Sequence, residues 1–543
     1  MTLDALTAAP PGQSAVLDDA HVGDITGALG TIRHDDTHAR RSWKRRMLAL
    51  LAIMGPGLIV MVGDNDAGGV ATYTQAGQNF GTSLLWTLPL LIPVLIVNQE
   101  MVVRLGAVTG VGHARLIFER FGRFWGAFSV GDLFILNFLT IVTEFIGISL
   151  AASYFDISPD IVVPLAAVGL VAMTVTGSFR RWERCMYVFI ALNFLAVPLI
   201  FMVHPNAGQI IHDTFVPHIT GGVASDAVLL IVAIVGTTVA PWQLFFQQSN
   251  IIDKRITPRW IPYERADTVI GSVVVIVGAG ALMVAAAFAF KGTGFAGHFT
   301  DAGGVAAGLR GTVGGVAGAI FAIVLLNASI IGASAVTLAT SYACGDVFRI
   351  KHSLHRGVSD AKLFYAVFAA LVALAAGVVL IPDAPLGVIT TAVQALAGVL
   401  LPSATVFLLL LCNDKDVLGP WINAPWLNGL ASIIVAVLLM LSGILVVNTL
   451  FPAFDIILLL PWLGATLGAM VVGVTVLVLL SRGGGVDHEA RQGRSTWRMP
   501  QLTLLDRPVW SRGRLVGMYA LRGYLVVAVL LLIVKAVELG LGR

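Results

Sequence analysis

The sequence predicts an all-α polytopic membrane protein, and three observations carry that prediction. Charged residues make up 12% of the 543-residue chain, against about 25% in soluble domains. Mean hydropathy is +0.87, and apolar runs of about 20 residues, long enough to cross a ~30 Å hydrocarbon core, recur from Met47 onward. The basic residues fall between those runs in an alternating pattern, as the positive-inside rule requires. This composition excludes an ordinary soluble enzyme. A net charge of +3 scattered in short clusters offers no basic face, so the expected surroundings are the lipid bilayer and not nucleic acid.

Taken in order, residues 1–46 are a polar tail ending in RRSWKRR (Arg40 to Arg46). It has no apolar core near its start, so no cleavable signal peptide is expected. Apolar helices follow over 47–73, 84–105, 124–152, 160–177, 183–203, 225–249, 267–290, 313–342, 361–381, 385–411, 425–449 and 455–480. A basic linker carrying Arg491, Arg494 and Arg498 then leads to a thirteenth apolar run at 521–539. The expected organisation is therefore a polar tail (1–46), a ten-helix core (47–411), two further helices (412–480) and a basic linker with one more helix (481–543). Arg104, Arg115, Arg120 and Arg123 follow the second helix, Arg180, Arg181 and Arg184 the fourth, and Lys254, Arg255, Arg259 and Arg265 the sixth. Arg349, Lys351, Arg356 and Lys362 follow the eighth and Lys415 the tenth, whereas the opposite loops carry DISPD (Asp156 to Asp160) and few cations. The N-terminus is thus expected in the cytoplasm, with the chain in the plasma (inner) membrane. Cys185, Cys344 and Cys412 stand singly, without the spacing of a disulfide framework or thiolate metal site, and read as small buried hydrophobes.

The chemistry-bearing residues sit in the first and sixth helices. MVGDNDAGGVATYTQAG (Met61 to Gly77) places Asp64, Asn65 and Asp66 in the middle of an apolar span. A charge there costs about 2.5–3.5 kcal/mol on insertion scales, so these carboxylates face a cavity or a partner. Gly68 and Gly69 are read as the point where the helix unwinds and exposes its carbonyls. The other reading is a short loop between two half-length helices, which would each be too short to span alone. GTTVAPWQLFFQQSN (Gly236 to Asn250) repeats the device: Pro241 removes a mid-span hydrogen bond among Thr237, Thr238, Gln243, Gln247 and Gln248. By itself it reads equally as an ordinary proline kink. Broken helices at corresponding first and sixth positions point to an inverted repeat of five helices per half, with a site at the midplane.

These residues resemble the NRAMP family of divalent metal transporters. GPG (Gly55 to Gly57), then after eight residues DAGG (Asp66 to Gly69), then QAG (Gln75 to Gly77), are similar to family elements in order and spacing. RLGAVTG (Arg104 to Gly110), the glutamate of EFIG (Glu144 to Gly147) and CNDKDVLGPWIN (Cys412 to Asn423) extend the resemblance over roughly residues 47–450. It implies a LeuT-type fold of two inverted five-helix repeats with broken helices 1 and 6, plus two or three C-terminal helices, in which Asp66 is the metal carboxylate. The departures are specific. Family residues of a DPGN motif are Ala67 and Gly69 here, an MPH motif is Ala240, Pro241 and Trp242, an aspartate is Ile141 and a glutamine is Leu400, while Gln394 matches.

With the family's sulfur ligand missing, the remaining donors are all oxygen, which suits Mg²⁺ or Mn²⁺ over Fe²⁺. Gly69 and Ala240 in place of larger residues are expected to enlarge the cavity, which favours a cation that keeps its waters. The expected metal site comprises Asp66, Asp64, Gly69, Thr237, Ala240, Gln243 and Gln394, with Asn65, Trp242 and Gln247 lining the cavity or gate. Asp64 has two readings, a second metal carboxylate or a bridge elsewhere in the bundle, and Trp242 either walls the cavity or packs. Glu144 and Asp132 read as a proton route or as ordinary interhelical hydrogen bonding. His113, His204, His212 and His218 fall in or beside loops without zinc-site spacing and read as solvated or vestibule residues. No HExxH, GxSxG or GxxxxGKS occurs, so neither hydrolysis nor ATP coupling is expected and no cofactor is implied, a divalent cation being the substrate. Two rival functions remain at this stage: a LeuT-fold carrier of an organic substrate, and a membrane metal sensor that does not transport.

Overall fold

In the computed structural model, residues 19–505 are described apart from 37, 39, 383–385, 452–453 and 482–492, with a few positions between 508 and 527. The N-terminal segment, expected as a solvated tail, contains a two-stranded antiparallel hairpin, β1 (Ile25–Gly27) and β2 (Gly30–Ile32), pairing Ile25 with Ile32. Ile25, Ala28 and Ile32 are buried. The Ala28 amide donates to Glu183 Oε2 (2.5 Å), and Arg255 donates to the carbonyls of Ala20 and Asp24. The hairpin is thus docked on the bundle, by contacts from residues more than 150 positions away that the local sequence does not reveal.

The first expected helix divides into three. α1 (Trp43–Ile53) is N-capped by Ser42, whose hydroxyl accepts from the Arg45 amide. It stops at the GPG motif, where Gly55 takes φ 150°, a conformation that disfavours side-chain-bearing residues. Pro56 then opens α2 (Pro56–Gly63), bent 53° from α1. Asp267 satisfies the new helix start, accepting from the amides of Gly55 (3.0 Å), Gly57 (2.7 Å) and Leu58 (3.2 Å). After a break at Asp64–Asp66 the span resumes as α3 (Ala67–Phe80). The span is therefore 56–80, displaced from the expected 47–73 because the glycine-proline corner, not apolarity, sets where the chain turns.

The remaining elements are α4 (Thr87–Thr109), α5 (His113–Phe121), α6 (Arg123–Tyr154), α7 (Pro159–Thr174), α8 (Phe179–Leu192), α9 (Ala196–Met202) and α10 (Ala207–Phe215). The second half contains α11 (Ser225–Thr238), α12 (Pro241–Asp253), α13 (Ile261–Phe290), α14 (Ala302–Thr312), α15 (Gly315–Phe348), α16 (Lys362–Val379) and α17 (Leu386–Leu411). The short α18 (Lys415–Leu418), α19 (Pro425–Leu450) and α20 (Leu460–Ser481) follow. Among the described residues ten helical segments are long and apolar enough to cross a bilayer, or eleven if the bent α1–α2 pair is one span, and α7 is a shorter apolar helix. The thirteenth expected helix lies largely outside the described residues. Cys185 is exposed, unlike Cys344 and Cys412, which corrects its reading as buried.

The halves correspond element by element. α2–α3 matches α11–α12 as the first, broken span of each half, and the short α5 between the second and third spans matches α14 between the seventh and eighth. Five spans is an odd number, so the second half starts from the opposite face. The centre of the molecule is made by α6 against α15, while α13 runs along α2, α3 and α4. Both breaks are thereby held inside the bundle, where irregular backbone is tolerated.

Candidate functional site

At the first break, α2 ends in Asp64 and α3 begins with Asp66 as its N-cap, so only Asp64, Asn65 and Asp66 leave the helix. Gly68 and Gly69 are not where the helix unwinds: both belong to α3. The Asp66 carboxylate accepts from the Gly69 amide at 2.7 Å, and the Gly68 carbonyl accepts from the Thr72 hydroxyl. The reading of Gly69 as a carbonyl ligand is therefore corrected, because its amide is what faces the site. Gly69 does not open space either. A Cβ there would lie 2.8 Å from the Asp64 carbonyl and 3.3 Å from the Tyr73 ring. A small space of about 10 Å³ beside Ala67 is bordered by α3, α6, α14, α15 and α17 and adjoins neither Gly69 nor Ala240.

At the second break, α11 ends at Thr238 and Pro241 opens α12. Proline has no N–H, so the Thr237 carbonyl loses the i+4 donor it would have in a continuous helix. The negative ends of α2 and α11 thus both point into the middle of the bundle. A hydrogen bond from Tyr73 of α3 to the Thr238 hydroxyl at 2.7 Å ties the first broken span to the second break.

Glu144 on α6 comes to the first break as well. Its Oε2 accepts from the Ala67 amide at 3.1 Å. A Cβ on Gly332 of α15 would meet both Glu144 (2.7 Å) and Asp66 (2.9 Å), so the two carboxyl groups share one corner. Gln394 of α17 packs on Gly68, and its carbonyl lies against Gly236 of α11, which places it between the breaks. Asp64, Asp66, Glu144 and Gln243 are at most 4% exposed. Three of the oxygens there, Asp64 Oδ2, Glu144 Oε1 and Thr237 Oγ1, are buried with no hydrogen-bond donor. Unpartnered buried acceptors of this kind are costly, and a cation would satisfy them.

Other residues expected at the site are committed elsewhere. The Gln243 amide donates to Asp64 Oδ1, and its Oε1 accepts from Gln99 at 3.3 Å, so both its ends are used in holding Asp64. The Ala240 carbonyl accepts from the Gln243 backbone N–H at 3.2 Å. Asn65 donates to the Val275 carbonyl and Gln247 to the Thr268 hydroxyl, both on α13, which ties the breaks to that helix. Trp242 is buried and lies 3.4 Å from where a Gly63 Cβ would stand, a packing role. Asp132 lies twelve residues before Glu144 on α6, ~18 Å along the helix, and accepts from Ser403 at 3.3 Å. The structure does not bring these two acids together. His113 is buried, with Nδ1 2.9 Å from Gln248 Oε1, which corrects its reading as solvated. Gln99, Tyr73 and Gly332 were not singled out from sequence. Only their non-local contacts mark them, although a glutamine inside an apolar span is a signal that could have found Gln99.

Two half-length helix pairs, inverted between halves and meeting at buried carboxylates, define a polytopic membrane protein of the LeuT type. A crystal structure of the Eremococcus coleocola manganese transporter has the same fold, with TM-score 0.61 at 18% identity over 82% of this chain and 96% of that one. Residues 57–448 match the Nramp family, described as natural resistance-associated macrophage protein-like. The chain belongs to that family. Similar relatives include proteins named divalent metal cation transporter MntH from Mesorhizobium japonicum, 26% identical over 75% of this chain and 90% of that one, and from Ralstonia nicotianae, 28% identical over 73% and 90%.

Proposed function

We propose that this protein is a secondary carrier of divalent metal cations, taking Mn²⁺ or Mg²⁺ in preference to Fe²⁺ and importing them by alternating access. The observation that carries the reading is the cluster at the two breaks: the Asp64, Asp66 and Glu144 carboxyls, with Asp64 Oδ2, Glu144 Oε1 and Thr237 Oγ1 unpartnered, beside the open C-terminal ends of α2 and α11. Asp66 is the principal ligand, with Asp64 and Thr237 as further oxygen donors and Gln394 at the edge. Gln243 positions Asp64. Every one of these donors is oxygen, which suits hard cations. The names of the relatives, divalent metal cation and manganese transporters, support the substrate class.

The broken helices supply the moving parts, since each half-helix can tilt about its break, three residues in the first span and two in the sixth, while the α6–α15 pair stays fixed. Loop charge supports a cytoplasmic N-terminus in the plasma membrane. Import needs no coupled ion: a divalent cation entering across 100 mV, negative inside, gains about 4.6 kcal/mol, or roughly 10³-fold accumulation. The test is Mn²⁺ and Mg²⁺ flux into liposomes holding purified protein under an imposed potential, with internal pH recorded. Entry of either ion without acidification is expected. No flux above that of Asp66→Ala liposomes overturns the reading.

A further inference from the structure

On the face of the bundle opposite the N-terminal hairpin lies a second group of potential ligands, unrelated to the breaks. His212 and Asp213 sit on α10 and His218 in the loop that leads to α11. Each offers one ligand atom, and these atoms all lie within 4.8 Å of one another. His212 Nδ1 is 2.9 Å and His218 Nε2 is 3.7 Å from the same Asp213 oxygen, Oδ1. A tetrahedral centre with bonds of ~2.0–2.1 Å sets its ligand atoms ~3.3–3.4 Å apart, a spacing that these two separations bracket.

The surroundings orient the group as they would for a metal. His218 Nδ1 lies 3.1 Å from the Val216 carbonyl, so the proton sits there and the Nε2 lone pair is turned to Asp213. Asp213 is buried, and its other oxygen accepts from the Thr82 hydroxyl, which in turn accepts from Gln209 Nε2 at 2.9 Å. That fixes the carboxylate and leaves Oδ1 facing both imidazoles. A cavity of about 370 Å³ adjoins the group, bordered by Asp213, His218, Gln78 and Lys291, with room for a water as fourth ligand. Lys291, the cation on this wall, is turned toward Gln209 Oε1 at 3.4 Å. Gln78 is twelve residues along α3 from Asp66, ~18 Å, so the two sites are separate.

We propose that His212, Asp213 and His218 form a binding site for a borderline-soft divalent cation of the Zn²⁺ kind. Two imidazoles and one carboxylate with an open fourth position favour Zn²⁺ and its later first-row neighbours, whereas the all-oxygen cluster at the breaks favours hard ions. Through Asp213 and Thr82, a bound ion clamps α10 and the loop after it to the turn that follows α3. The inference does not depend on transport and stands or fails by itself.

The test is titration calorimetry of the full-length, tag-free protein with ZnCl₂ alone, on the wild type and on His212→Gln/His218→Gln, in the native and Asp66→Ala backgrounds. His212 is exposed and His218 half-buried, so the double variant is expected to keep its size-exclusion profile. The expected result is one fewer Zn²⁺ per chain in the double variant, or at least a 30-fold weaker site, in both backgrounds. Tetrahedral Co²⁺ absorption in Asp66→Ala protein, lost on adding the histidine substitutions, gives an independent reading. Equal Zn²⁺ stoichiometry and affinity with and without the two histidines overturns the proposal, as does wild-type protein that binds no Zn²⁺.

Discussion

Asp66 has two separable jobs, and a pair of substitutions separates them. Its carboxylate caps α3 through the Gly69 amide at 2.7 Å in a site only 4% exposed, and it supplies negative charge at the break. Asp66→Ala removes both. Loss of an N-cap costs about 0.5–2 kcal/mol, and leaving a buried amide without an acceptor costs about 1–3 kcal/mol, so the two views of the same loss agree on roughly 1–2 kcal/mol. Asp66→Asn keeps an oxygen at the capping position, and asparagine caps about as well as aspartate, so its stability should match the wild type. The charge is gone in both variants. A divalent cation about 4 Å from a unit charge, at an effective dielectric constant near 20, is held by about 8 kcal/mol before desolvation. Even if only a quarter of that survives, the loss is about 30-fold in affinity. Thermal unfolding in detergent and Mn²⁺ flux in liposomes are the assays. The expected pattern is Asn stable and inactive, Ala destabilised and inactive. Asp66→Asn protein with more than half the wild-type flux, or as unstable as Asp66→Ala, refutes the reasoning.

Four further outcomes follow from the same geometry. Gly332→Ala inserts a methyl within 2.9 Å of both Glu144 and Asp66; overpacking of about 1–3 kcal/mol should lower flux more than expression, and unchanged flux would show that the corner yields. Pro241→Ala returns a donor to the Thr237 carbonyl, so helix α11–α12 can close up; at least tenfold slower flux at equal or higher thermal stability is expected, and full flux would show that the break does not need the proline. Lys254 and Glu183 form an ion pair at 2.6 Å with both side chains fully buried. Glu183→Gln should destabilise by about 3–5 kcal/mol, and Glu183→Gln/Lys254→Met should recover most of it, which a double-mutant thermal cycle reads directly. Burial, against the opposing Gln248 bond, pushes the His113 imidazole down from 6.5 to about 4. The unfolded chain therefore binds this proton more readily. The contribution of neutral His113 is complete above pH 6.5 and is lost as pH falls toward 4, by up to about 3 kcal/mol. The stability difference between wild type and His113→Gln should shrink over that window, and a constant difference from pH 7.5 to 4.5 contradicts it.

The architecture was largely legible because its signals are local. Twenty-residue apolar runs, basic loops on alternate sides and Pro241 in mid-span each declare themselves within one segment, so apolar spans and the interruption of the first and sixth near Asp64–Asp66 and Pro241 could be read directly. The glycine pair misled because glycine means different things in different settings. In a span rich in aspartate, Gly68 and Gly69 look like a point of unwinding, yet they are helical, and their missing side chains admit Gln394 and the Asp64 carbonyl. The docking of the N-terminal hairpin and the meeting of His212, Asp213 and His218 were invisible for another reason. Each is closed by partners far along the chain or across a loop, and no spacing rule encodes that.

By itself, then, the sequence determined which segments are apolar enough to cross a bilayer and that the first and sixth are interrupted, because hydrophobic length and proline chemistry each act within one segment. Only the tertiary structure decided which polar groups face one another: that Glu144 joins Asp66 while Asp132 does not, and that Gln243 is occupied by Asp64. Those pairings depend on the rotation and crossing of packed helices, where a shift of one residue turns a side chain by about 100°.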